Sequence, residues 1–194
     1  MNYPEYVMIG ETRYDIDTYF KTGIRCSEVA EDPNIDDEER GMAIVYLLFG
    51  EKGLRSNDRK QLLAEGMKYL ACGKEIEHTN EEPDMDFVQD YSLIKTSFRS
   101  DYGIKLDEEK MHWWEFNELL NGLSNSDMGN CCILNRVRSI RTFDIKDIKD
   151  RKERDQILKA KEHWALKKNK RESHLTKEQE ESMRRFDEMA NIRR

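Results

Sequence analysis

The sequence predicts a mainly α protein: a single multi-helix domain with a small N-terminal β-hairpin and a charged C-terminal helical arm. Three observations predict it. Apolar residues recur at helical spacing in several separate stretches, the pattern of helices with one buried face. Ten Gly and three Pro among 194 residues leave few breakers. With 38% charged residues, 37% hydrophobic ones and a mean hydropathy of −0.92, the chain suits helices with broad solvated faces, and its length still lets one domain bury a core.

The elements follow in order. "YVMIGETRYDID" alternates and turns at Gly10, so it reads as a hairpin with Val7 and Ile9 on the same face as Tyr14 and Ile16. Such a hairpin is marginal alone and must lie on the helical body. "TYFKTGIRCSEVAEDPN" then leads into the first clear helix, which opens near Asp36 and Asp37, just after Pro33, and carries Met42, Ile44, Val45, Leu47 and Leu48. Gly50 and Gly53 break it. Ser56 reads as the N-cap of a helix from about Asn57 to Cys72 with Leu62, Leu63, Met67, Tyr69 and Leu70 on its apolar side. An acidic connection ends at Pro83, and the helix after it carries Phe87, Tyr91, Ile94 and Phe98. "MHWWEFNELLNGLS" gives a stripe of Trp113, Phe116, Leu119, Leu120 and Leu123. Only "SDYGIKLDEE" separates these two helices, which predicts an antiparallel pair whose core joins Phe87, Tyr91, Ile94 and Phe98 to Trp113, Phe116, Leu120 and Leu123.

"SNSDMGNCCILNRVRSI" predicts one short helix, and "DIKDIKDRKERDQILKAKEHWAL" a long one ending near Leu166. Residues 1–166 thus form the hairpin and helical body, and 167–194 a charged arm. In the arm Thr176 and Gln179 make a capping-box start, and Met183, Phe186 and Met189 are almost its only apolar contacts, so its order depends on a partner.

Trp114 poses a problem, because adjacent helical positions point about 100° apart and one seam cannot hold both indoles. It falls in a polar sector with Lys110, Asn117, Glu118 and Asn121. Two readings compete. Either the long helix, whose Ile157, Leu158, Ala160 and Trp164 offer spare apolar surface, folds over it, or the indole docks a partner protein. The candidate partner-binding residues are therefore Trp114, Asn117 and Asn121, with Phe186 and Met189 of the arm.

Other chemistry finds little footing. The longest apolar run, "MAIVYLLFG", is about half of a membrane span. The N-terminus has no basic start followed by an apolar stretch, so no secretory signal is assigned and a cytosolic protein is expected. Cys26, Cys72, Cys131 and Cys132 show no framework spacing and read as reduced thiols. There is no glycine-rich phosphate loop, "GEKGLRS" lacking the spacing, and His78, His112, His163 and His174 are scattered. Although His112 and Glu115 sit one turn apart, no second pair lies nearby. No catalytic residue, metal ligand or cofactor is assigned. Charge is uneven: from residue 145 onward 16 Lys/Arg meet 11 Asp/Glu, or +5, against 17 and 29, or −12, for residues 1–144. "NRVRSIRTFDIK" interleaves Arg136, Arg138 and Arg141 with apolar residues, which is what a nucleic-acid-binding regulator would show, but the net charge of −7 repels phosphate over the rest of the surface.

The order of these motifs resembles a known family. From the hairpin and "YDIDTYF", through "YSLIKTSFRSDYGIKL" and "HWWEFNELLNGLS", to "SIRTFDIKDIKDRKERDQILKAK", the chain is similar to the tail assembly chaperones encoded just upstream of the tape-measure protein in long-tailed phages and prophages of Gram-positive bacteria. The most specific part is His112, Trp113, Trp114, Phe116, Leu119, Gly122, Leu123 and Ser124 following "YGI-x-L", with His112, Trp113, Phe116, Leu120 and Leu123 as the core signature. The resemblance implies a non-enzymatic helper in the host cytoplasm. It would hold the long helical tape-measure protein until tail tube subunits polymerise around it, and be absent from the mature virion. Its first partner would be the tape-measure protein, with the tail tube protein and further copies of itself as candidates; no membrane partner is expected, and the net charge disfavours nucleic acid. Nothing beyond Leu166 resembles the family.

Overall fold

In the computed structural model, which describes residues 3–75, 83–125, 131–146, 148 and 150–167, the mainly α expectation holds. Strands β1 (Tyr6–Ile9) and β2 (Thr12–Asp15) precede helices α1 (Phe20–Glu31), α2 (Asp37–Leu54), α3 (Arg59–Leu70), α4 (Tyr91–Tyr102), α5 (Trp113–Asn121), α6 (Ile133–Thr142) and α7 (Arg151–Trp164). No helix among the described residues is long and apolar enough to cross a membrane. The arm from 168 on, with Phe186 and Met189, lies outside the described residues.

The hairpin is antiparallel with Val7 opposite Tyr14, turned at Gly10, whose φ of 58° is one a side chain rarely adopts. Its inner face lies on the body: Tyr14 and Ile16 are buried, the Tyr14 hydroxyl meets Ser56 Oγ at 2.8 Å, and Asp17 N donates to Leu48 O. α2 opens as predicted at Asp36, where Asp36 and Glu39 form a reciprocal capping box. It kinks at Gly50 but runs on through Gly53 to Leu54. Ser56 is not the N-cap of α3. That position is Asp58, and Ser56 Oγ instead accepts the Asp58 N–H.

Two larger differences concern topology. The stretch after Thr18 is itself a helix, α1, which buries Phe20, Ile24 and Cys26. It starts beside α5: Phe20 N donates to Met111 O and Trp113 N to Thr18 O, an antiparallel bridge between Tyr19 and His112 that sets the two helix starts side by side. The second difference is that α4 and α5 are not antiparallel. Phe87, just ahead of α4, meets Trp113 at the start of α5; Phe98 stacks on Phe116; and Tyr102 at the end of α4 donates to Leu119 O near the end of α5. They run in the same sense. The reason is the length of residues 103–112, which can reach about 33 Å when extended, against about 18 Å for the twelve residues of α4. That connection turns at Gly103 and doubles back along α4, so that Asp107 pairs with Lys95 and accepts from Tyr91.

The core named from sequence is otherwise where it was expected. Phe116 is its centre, fully buried, with Phe20, Phe98 and Trp113 stacked around it at centroid distances of 4.9, 5.4 and 5.8 Å. Leu120, Leu123 and Ile94 are buried, while Tyr91 and Phe87 pack against the cluster from its edge. The Cys26 thiol sits inside it, and burial, reinforced by Asp17, pushes its pKa up to about 12.

Candidate functional site

Both tryptophans of α5 are held by one feature. The last carbonyls of a helix lack intrahelical donors, and here Trp113 Nε1 donates to Leu70 O at 3.0 Å while Trp114 Nε1 donates to Tyr69 O at 2.9 Å. The 100° between the side chains is thus used: the two indoles straddle the C-terminal end of α3. Trp114 is half-buried, stacked on Tyr69 at 6.2 Å and tilted against Tyr3 at 6.4 Å, with its ring close to Gly73. The long helix does not cover it, contrary to the expectation; α7 packs on α6 instead. Nothing in the local sequence marks Tyr69 and Tyr3 as the cover, since they lie 45 and 111 residues away in the chain.

His112 organises the start of α5. Its Nδ1 accepts the Trp114 N–H as N-cap, which leaves Nε2–H to donate to Pro4 O, and its ring stacks on Tyr3. Asn117 and Asn121 turn their amides back onto the helix, donating to Trp113 O and Asn117 O, so their donors are partly spent within α5. Tyr3 Oη donates to Glu118. Of the candidate partner-binding residues, the structure brings Trp114 and Asn117 together on a partly covered face and leaves Asn121 exposed.

A Trp114→Phe variant separates the two roles. Phenylalanine keeps the stack on Tyr69 but removes the N–H, and because Tyr69 O retains backbone donors from Ala71 and Cys72, the expected loss is about 0.5–1.5 kcal/mol in urea unfolding. Unchanged stability would mean the indole is free for a partner.

The arginines singled out from sequence are mostly spoken for. Arg141 forms a bidentate pair with Asp90, at 2.6 and 2.8 Å, and also donates to Asp84 O and Trp164 O. Asp90 is 2% exposed. Arg138 pairs with Asp84 at 2.9 Å. These links tie α6 to the segment ahead of α4 over more than 50 residues of chain, which no local pattern announces. Arg136 remains exposed.

α7 is the least buried helix: none of its residues is buried, Leu158 is 37% exposed, and Phe143 ahead of it is 47% exposed. Its partly covered residues, Ile157, Ala160, Lys161 and Trp164, follow one helical stripe. Beneath its end lies a cleft of about 300 Å³ lined by Gln89, Asp90, Leu93, Arg141 and Trp164 among others. All four cysteines are free, and Cys132 serves as N-cap of α6, its Sγ accepting from Asn135 N. Among the described residues no three His, Cys, Asp or Glu side chains lie close enough to hold a metal.

The family model described as Bacteriophage Gp15 protein matches residues 3–166, from the hairpin to the end of α7. No curated protein matches the chain, and no solved structure does.

Proposed function

Because the chain belongs to the bacteriophage Gp15 protein family, we propose that it is a tail assembly chaperone, a non-enzymatic protein that holds the helical tape-measure protein in the host cytoplasm while the tail tube assembles. The observation that carries this reading is α7: a whole amphipathic helix inside the family match, with no buried residue, only a partly covered apolar stripe, and Leu158 exposed on it as Phe143 is just ahead of it. Helical partners are recognised by faces of this kind. Tail tube subunits and further copies of the chain are partners the same role would involve.

A nucleic-acid-binding regulator is the second reading. Its support is the set Arg151, Lys152, Arg154 and Lys159, exposed and without an ion-pair partner among the described residues. Against it, Arg138 and Arg141 are engaged within the protein.

Co-expression tests the first reading. A fragment of the tape-measure protein encoded next to this chain is expected to stay soluble and co-purify when the chain is present, and to aggregate without it. A fragment that behaves alike in both cases defeats the chaperone. The regulator predicts instead retention on DNA that falls about 10³–10⁵-fold in affinity between 50 and 200 mM salt for a protein making six to ten phosphate contacts.

A further inference from the structure

From its attachments, we infer that α7 is a releasable strap: it lifts off α6 as a unit while β1 to α6 stay folded, uncovering the α6 face and the cleft beneath its end. This inference rests on the geometry of α7 and not on the identity of any partner. Elements open locally when they bury few apolar groups and hold on through exposed hydrogen bonds. α7 meets both conditions: no residue of it is buried, whereas α1 to α6 each bury at least three.

What fastens it is a small polar latch at its C-terminal end. Gln89 forms a two-way amide pair with Lys167, accepting from its N–H at 2.8 Å and donating to its carbonyl at 3.3 Å. Arg141 Nε donates to Trp164 O at 2.7 Å, and Lys161 Nζ reaches Phe143 O. Every one of these bonds has a main-chain group on one side. Three of them take hold of main-chain groups at the end of α7 and do not depend on which side chains it carries; the fourth uses the Lys161 side chain.

The body does not need the strap. If α7 leaves, Arg141 keeps both bonds to Asp90 and its bond to Asp84 O, so the buried carboxylate stays neutralised. Gln89 keeps its bond to Asp86. Opening therefore costs these four exposed or half-exposed hydrogen bonds and the cover over Ile157, Ala160 and Trp164, while no buried charge is left without a partner. The strap and the seat it vacates form a two-position device at the surface of α6.

Amide hydrogen exchange on the full chain, read by mass spectrometry, tests it. Amides of Ile157–Trp164 are expected to exchange at least about a hundredfold faster than those at the centre of α5. Gln89→Ala is expected to speed α7 by about tenfold, while leaving exchange in α5 and the thermal midpoint of the body unchanged. Trp164→Ala should act in the same direction, which guards against a local effect of Gln89 on the start of α4. The strap is overturned if α7 exchanges together with α5, or if neither substitution changes α7, or if they speed α5 and α7 alike. None of these outcomes bears on whether a tape-measure fragment binds, so a failure here is distinct from a failure of the chaperone.

Discussion

Replacing Trp113 with alanine is expected to lower stability by about 3–5 kcal/mol, a large share of the roughly 5–15 kcal/mol that holds a domain together. The indole is 3% exposed and touches the rings of Phe116 and Phe87, so its loss opens a cavity at the aromatic centre of the core. It also removes the donor to Leu70 O, and the end of α3 loses one of its two anchors. Urea unfolding followed by circular dichroism should show the midpoint fall steeply with little change in slope. Trp114→Phe, next to it in sequence, should lose about a third as much or less, since only a hydrogen bond is removed there. A Trp113→Ala chain that unfolds like its parent would show that the core is not centred on this ring.

How far the sequence discloses this arrangement depends on the range of the interaction. Periodicity is local, and it identifies α2, α3, α5, α6 and α7 and the stripe from Trp113 to Leu123, because one buried face leaves its spacing in the chain. The capping box at Asp36 and Glu39 is equally local. α1 escapes notice for a physical reason: Tyr19 offers no capping side chain, and Gly23 inside it costs about 1 kcal/mol of helix propensity, so it looks like a lead-in. Phe87 has the spacing of the α4 stripe yet lies ahead of that helix, where Asp86 accepts the Val88 and Gln89 N–H groups and holds a separate turn. The cover of Trp114 and the Arg141–Asp90 pair depend on partners 45 and 51 residues away, and the sense of α5 relative to α4 on a doubled-back connection. None of the three leaves a mark in a short window. The candidate partner face was legible as an anomaly, an indole among polar residues, but not as a clamp on the end of another helix.

Gly23 offers the sharpest test of that clamp. A methyl group placed on it would lie 2.2, 2.4 and 2.8 Å from three atoms of the Trp113 ring, inside any real contact distance, and the ring cannot swing aside because its N–H is bound to Leu70 O and Phe116 stacks on it. Gly23→Ala is therefore expected to destabilise by about 3 kcal/mol, the upper end of overpacking, although alanine in a helix ordinarily gains about 0.5–1 kcal/mol over glycine. The sign should reverse when the ring is gone. In a Trp113→Ala background the same Gly23→Ala change meets no indole, so it should be neutral or stabilising by about 0.5–1 kcal/mol, giving a coupling of about 3–4 kcal/mol between two residues 90 apart in sequence. If the Trp113→Ala chain is too unstable to measure, Trp113→Val supplies the same absence of a ring. Additive effects in the cycle would mean that α1 does not lie against Trp113, and the joining of α1, α5 and the end of α3 through that one indole would have to be abandoned.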